Sequence, residues 1–303
     1  MKKLKNPVVA LGIFDGVHIG HRKVLNEAIK RAKAISGTSV AMTFSPHPLK
    51  VLAPQKAPPL LTSTEHRVRL IKSLGMDLCY IIRFNKNLSN LTPRQFVRKV
   101  LVDKLGAKEV VVGYDYAFGK GRRGDIASLE KLGRVYGFKV VRVKPVKVHG
   151  RIVSSSLIRT LIESGGLQTA SNLLGRPVSI LGTVIKGDSR ARTLGYPTAN
   201  IKPHHEVVPP SGIYAVMIDI GGIKKHGILY IGTRPTFKTG SETKSVIEAH
   251  IFDYHKRVYG KEIEVMFIKR LRAEKRFRNQ DELIEQIKED EKKTKAYFSL
   301  YKP

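Results

Sequence analysis

From residue 7 to about residue 143, short runs rich in valine and isoleucine alternate in unbroken order with stretches of helical periodicity. The apolar runs fall at 8–11, 39–44, 78–84, 110–113 and 139–143, and the helical patterns at 21–35, 63–74, 93–105 and 126–136. Short apolar runs suit strands buried on both faces, whereas apolar residues three and four apart suit a helix that buries one stripe. Ser63 and Thr92 stand as caps, and Pro93 follows Thr92 at a first helical position, where its missing N–H leaves no bond unmade. Strands separated by helices cannot pair as hairpins. The pattern therefore predicts a parallel sheet with helices on both faces, in which ligands bind at the carboxyl ends of the strands.

After about residue 173 the grammar changes. Apolar segments at 213–220 and 223–231 flank Gly221-Gly222, a two-residue hairpin signal, and further strands are predicted at 179–185, 246–252 and 262–268. A helix follows at about 281–298. This half reads as a small antiparallel β-barrel or sheet carrying one terminal helix. The chain of 303 residues is thus expected to be α/β plus β, with domains at 1–172 and 173–303 and the boundary near Asn172.

Lys and Arg number 55 against 25 Asp and Glu, a net charge of +30, yet 42% of residues are apolar, enough to build packed cores. The first 172 residues hold 31 basic and 10 acidic groups, so the charge is concentrated there. No arginine-rich arm or zinc-finger spacing accompanies it. The basic groups read as a solvated surface whose field favours small anionic substrates, with no dedicated nucleic-acid partner expected. Cys79 is the single cysteine, which excludes an internal disulfide and suits a reducing compartment. The apolar run after the basic start MKKLK stops at Gly12, and no stretch approaches the roughly 20 apolar residues of a bilayer span. A cytoplasmic protein without a membrane partner is the expectation.

Gly12-Ile13-Phe14-Asp15-Gly16-Val17-His18-Ile19-Gly20-His21 follows the first strand and opens the first helix. Glycines there let the backbone approach a ligand, and a helix amino terminus offers free N–H groups to phosphate. Two histidines three apart can donate hydrogen bonds to a triphosphate as its charge shifts. A zinc pair would need two more ligands from a chain with one cysteine, and surface histidines are the plain alternative. The string His-Ile-Gly-His also occurs in class I aminoacyl-tRNA synthetases. Three further segments fall at the same sheet edge: Thr43-Phe44-Ser45-Pro46-His47-Pro48, Val112-Gly113-Tyr114-Asp115-Tyr116-Ala117-Phe118-Gly119, and Ser154-Ser155-Ser156-Leu157-Ile158-Arg159. The last supplies hydroxyls, helix N–H groups and a guanidinium, a set suited to β- and γ-phosphates.

In this order and spacing the four segments resemble the FMN adenylyltransferase half of the prokaryotic bifunctional riboflavin kinase/FAD synthetases. The resemblance implies a Rossmann-like nucleotidyltransferase domain. It makes His18 and His21 catalytic and assigns Gly12, Phe14, Asp15, Gly20, Ser155, Ser156 and Arg159 to ATP. His47 and Asp115 would position flavin or nucleotide.

In the second half, Gly187 lies just before Arg192-Thr193-Leu194-Gly195-Tyr196-Pro197-Thr198-Ala199-Asn200. Thr198 and Asn200, two apart, face one side of an extended segment and could share a Mg-nucleotide; an ordinary proline turn is the alternative. The string is similar to the PTAN signature of riboflavin kinases. Gly212-Ile213-Tyr214, Ile231-Gly232-Thr233-Arg234-Pro235-Thr236-Phe237 and Glu248-Ala249-His250-Ile251-Phe252-Asp253 extend the resemblance in order. It implies ATP and Mg²⁺ binding by Gly187, Thr198 and Asn200, with Thr198 on the metal, and riboflavin, FMN and FAD as substrates or products. A ribityl hydroxyl, unlike an ionised phosphate, needs a base to attack ATP, and Glu248 is the carboxylate expected to serve. Three residues depart from the family pattern: Ala191 stands at a usual glycine, Lys186 at a usual histidine, and Tyr230 at a usual asparagine.

Overall fold

The computed structural model describes residues 4–186, 196–234, 244–254 and 256–300. By compactness the chain divides into two units, Met1–Leu157 and Ile158–Pro303. This division falls inside a helix, ahead of the change of sequence grammar near Asn172.

In the first unit the order is β1 (Val8–Leu11), α1 (Ile19–Ala34), β2 (Ser39–Ser45), α2 (Pro48–Leu52), α3 (Thr64–Lys72), β3 (Leu78–Arg83), α4 (Lys86–Ser89) and α5 (Pro93–Phe96). There follow β4 (Glu109–Gly113), α6 (Ile126–Tyr136) and β5 (Lys139–Val143). All five strands pair in parallel in the order β3-β2-β1-β4-β5. The chain works outward from β1 to β3, then returns to the other side of β1, so the carboxyl end of β1 is the switch point where such sheets open a crevice.

Alternation along the strands divides the core in two. Val9, Leu11, Val40, Met42, Val110 and Val112 pack with Phe96, Leu101 and Leu129 on one face. Val8, Ala10, Ala41 and Val111 pack with Leu25 and Ala28 of α1 and Ile71 of α3 on the other. The helix predicted at 93–105 is present, but after α5 it continues as π-helix from Val97 to Lys104. There the Leu105 N–H reaches the Val100 carbonyl at 3.2 Å, a wider turn that lets both side chains enter the core. Hydrophobic spacing alone does not separate the two helix types. A two-stranded ribbon of β6 (Lys147–Val148) and β7 (Arg151–Ile152), too short to show periodicity, precedes α7 (Ser155–Glu163) and α8 (Leu167–Leu174).

The second unit is a closed six-stranded barrel of β8 (Ser179–Ile185), β9 (Ala199–Pro203), β10 (Gly212–Ile220), β11 (Ile223–Arg234), β12 (Lys244–Ile251) and β13 (Glu262–Arg272). Its pairs are antiparallel, and the strands run in the order β10-β11-β12-β9-β8-β13. Gly221 and Gly222 close the predicted hairpin with φ of 65° and 93°, which a two-residue turn of this hand requires. β9 is the strand that the alternation pattern leaves out, being only five residues long. Leu229, Ile231, Ile247, Ala249, Ala199 and Ile201 point inward and are buried, so their sequence neighbours face outward.

The terminal helix α9 (Gln280–Leu300) is held to the barrel by a bidentate pair. Arg272 Nε lies 3.1 and 3.0 Å from the Asp290 carboxylate oxygens and Nη2 lies 2.8 Å from Oδ2, while the His226 ring stacks on Phe298 at 3.9 Å. Asp290 is buried, so Asp290→Ala leaves the guanidinium without its counter-charge and should cost about 3 kcal/mol. Thermal unfolding followed by circular dichroism checks this. The expected result is a lower melting transition for Asp290→Ala and a smaller loss for Asp290→Asn.

Candidate active sites

Between β1 and α1 the chain turns through three residues of positive φ, Phe14 at 54°, Gly16 at 82° and Val17 at 42°. Left-handed backbone at Phe and at β-branched Val costs on the order of 1–2 kcal/mol each and persists only where the surroundings hold it. Burial of both side chains is one hold. The other is Asp15, whose carboxylate accepts the N–H groups of Leu61 and Thr62 at 3.0 Å and the Thr62 hydroxyl at 3.1 Å. Thr62 Oγ1 in turn accepts the Gly16 N–H at 3.1 Å. Asp15 thus fastens the turn to the 61–62 segment through its side chain, while its own carbonyl accepts the Ser155 hydroxyl at 2.9 Å.

A buried arginine braces the same turn from below. Arg67 on α3 donates to the Ile13 carbonyl at 2.8 Å and the Phe44 carbonyl at 2.9 Å, tying the ends of β1 and β2 together. Burial lowers its pKa, against the pull of the Asp15 carboxylate, from a value high enough to leave it charged. Thr43 adds a third bond, donating to the Ile13 carbonyl at 2.8 Å. Sequence reading passes over Arg67 and Thr62. The signal for Arg67 is its place on the helix stripe with Leu70, Ile71 and Leu74, where a charge needs a partner.

His18 caps α1: its Nδ1 accepts the His21 N–H at 3.2 Å, which leaves Nε2 as the ring nitrogen able to donate. The His18 and His21 rings stack at 3.6 Å, and the Phe14 ring meets His21 edge-on at 5.5 Å. Glycine at 20 makes this possible, since a Cβ there would stand 3.1 Å from the His18 ring. A Cβ at Gly12 would stand 2.6 Å from Phe14. His47 repeats the capping device on α2, its Nδ1 accepting the Leu49 N–H at 3.2 Å. It stands just beyond β2, and exposed Asp115 just beyond β4, the two strands that flank β1. Ser155 and exposed Ser156 begin α7, and Arg159 lies one turn further along that helix, past the division at Leu157.

In the barrel, Glu248 on β12 stands directly opposite Asn200 of β9 on one side and Tyr230 of β11 on the other. Residues so paired point to one face, here the outer one. The Thr198 hydroxyl donates to Glu248 Oε2 at 3.3 Å. Glu248 is thereby brought beside Thr198 and Asn200, about 50 residues earlier in the sequence, as one group of oxygen-bearing side chains. Gly187 and Ala191 lie outside the described residues, and Lys186 is exposed at the end of β8.

Burial, then the neighbouring His18 and Arg67 charges, hold the His21 imidazole well below its ordinary value of 6.5. Between that depressed value and 6.5 the unfolded chain binds more protons than the fold, so the stability His21 contributes is complete above 6.5 and lost as pH falls through this window. His21→Asn removes the effect. The drop in urea midpoint from about pH 7.5 to about pH 5 should be smaller in the variant, and an equal drop would mean that His21 takes up its proton in the fold as readily as outside it.

Comparison with known proteins matches each half of the chain to a family. Residues 1–157 match the FAD synthetase family and residues 174–298 the riboflavin kinase family. The bifunctional riboflavin kinase/FMN adenylyltransferase of Bacillus subtilis (strain 168) is 38% identical over 295 residues, covering 96% of this chain and 92% of that protein. The Escherichia coli (strain K12) protein of the same name is 36% identical over 297 residues, with 98% and 94% covered. That of Listeria monocytogenes is 39% identical over 302 residues, with 97% and 93% covered. A solved structure described as a macrolide-efflux protein from Streptococcus pneumoniae superposes with a TM-score of 0.83 at 30% identity, covering 96% of this chain and 94% of its own. Among the described residues of the present chain no helix is long and apolar enough to cross a membrane. With both halves matched in order and relatives aligned over nearly their whole length, the chain belongs to the bifunctional riboflavin kinase/FAD synthetase family.

Proposed function

We propose that the two reactions of this bifunctional enzyme, phosphorylation of riboflavin to FMN and adenylylation of FMN to FAD, run at the two clusters described above, one in each unit. The observation that carries the assignment is the row Asn200, Glu248 with the Thr198 hydroxyl on the same carboxylate. It sets a base beside groups able to hold a nucleotide.

In the kinase half, Glu248 removes the proton from the ribityl 5′-hydroxyl as that oxygen attacks the γ-phosphorus of ATP, and ADP leaves. The hydroxyl of Thr198 and the amide oxygen of Asn200 are donors a hard divalent cation takes. Among the described residues no group of three or more His, Cys, Asp or Glu could hold a metal by itself, which fits a cation that arrives with its nucleotide. Mg²⁺ bound there would supply neutralisation of phosphate charge. Gly187 is assigned to the same nucleotide by resemblance alone.

In the adenylyltransferase half the nucleophile is the FMN phosphate, already ionised, which attacks the α-phosphorus of ATP and expels pyrophosphate. No base is required. His18 and His21 donate to the phosphates as charge shifts to the leaving group, at the amino terminus of a helix whose dipole favours that charge. Ser155 and Ser156 open a second helix suited to the far end of the triphosphate. Gly12 and Gly20 act through the room they leave, and Phe14 and Asp15 through the shape they hold. His47 and Asp115 position flavin or nucleotide. The surplus of basic groups draws ATP and FMN electrostatically, small molecules being the partners, and we place the enzyme in the cytoplasm.

Incubation with riboflavin, ATP and Mg²⁺, resolved by chromatography over time, should yield FMN and then FAD. Glu248→Gln should abolish FMN formation from riboflavin while FAD formation from supplied FMN stays within about twofold of the parent. His18→Ala should do the reverse, losing about 10²–10³ in adenylylation rate. Equal loss of both activities in either variant would sink the assignment to two sites.

A further inference from the structure

Tyr230 occupies a position where the family usually has asparagine, and the proposed roles of the kinase site leave it without a task. Its hydroxyl donates to the carboxylate of Glu274, in the segment that follows β13. The ring runs along β11 across Gly232, where a Cβ would collide with the phenol oxygen and ring carbons. Glycine at 232 is therefore a condition of this arrangement. The segment is held a second time at Phe277, whose ring lies under the Arg272 guanidinium at 5.8 Å and the Lys275 ammonium at 5.5 Å. Residues 273–276 are exposed.

The register decides what such a fastening can do. Tyr230, Glu248 and Asn200 form one outward-facing row across β11, β12 and β9. Given the reading that Thr198 and Asn200 hold the nucleotide, its phosphates occupy the β9 side of Glu248. Transfer is in line, so the attacking hydroxyl approaches the phosphorus from the side opposite the leaving group, and it must also reach the base. That leaves the β11 side, where Tyr230 stands. We propose that Tyr230, through its bond to Glu274, is a positioning residue for the phosphoryl acceptor: it pins the 273–279 segment as the wall against which riboflavin is placed for attack.

The role rests on the assignment of Glu248 and is tested separately from it. Tyr230→Phe keeps the ring and deletes only the donor, and Glu274→Ala removes the acceptor. Each should raise the KM for riboflavin about five- to tenfold, the loss expected for one ordinary hydrogen bond on an exposed segment. The KM for ATP, the kcat of phosphorylation and the conversion of supplied FMN to FAD should stay within about twofold. The double variant should be no worse than either single one, since both break the same bond. An unchanged riboflavin KM in both single variants, a shift in the ATP KM instead, or additive losses in the double variant would overturn the proposal. If Glu248→Gln kept its kinase activity the site itself would be misassigned; with Glu248→Gln inactive and the Tyr230→Phe kinetics unaltered, only the acceptor role fails.

Discussion

The carboxylate of Asp15 is the fixed point of the adenylyltransferase half. It is buried and accepts hydrogen bonds from two backbone N–H groups and a hydroxyl, so the turn after β1 cannot move without leaving a charge unsatisfied in the interior. That requirement holds Phe14 and Val17 in backbone conformations their side chains disfavour, and those conformations deliver His18 to the cap of α1. Arg67 completes the frame by joining the carbonyls of Ile13 and Phe44. The strand ends that carry the two histidine-bearing loops are then one rigid edge, which is what preorganised electrostatic catalysis requires.

The barrel reaches its site by a different route. Strand alternation shapes it. Because Leu229, Ala249 and Ala199 fill the interior, Tyr230, Glu248 and Asn200 must face out together, and a one-residue slip of β12 would turn Glu248 inward. Gly221 and Gly222 set the register at one end of β11, and the Arg272–Asp290 pair anchors the helix that covers part of the outer surface. The carboxylate proposed as the base is thus positioned by the packing of residues on the opposite face of the barrel wall.

Much of this was legible in the sequence because it rests on local pattern. Runs of Val and Ile separated by helical spacing leave few options other than a parallel sheet, and Gly-Gly between alternating segments leaves few other than a hairpin. The histidine pair could be located because helix-cap chemistry is confined to neighbouring residues. Asp15 is the instructive case: its place in a motif suggested contact with ATP, whereas its carboxylate is turned to the backbone of residues 61 and 62. Contacts across 46 residues of chain leave no periodic trace. The same holds for Arg67, for β9, whose five residues are too few to show alternation, and for the bond from Tyr230 to Glu274.

The two sites also differ in a way the chemistry of their nucleophiles explains. A phosphate monoester is ionised at neutral pH and attacks without losing a proton, so on the proposed roles the first site can commit Asp15 to the backbone while burial, and then its neighbours, hold His21 well below its ordinary value. An alcohol must shed its proton during attack, so the second site keeps a half-buried carboxylate on the outer face, hydrogen-bonded to Thr198 from the side. On the proposed roles, the base stands in the half whose attacking oxygen must lose a proton.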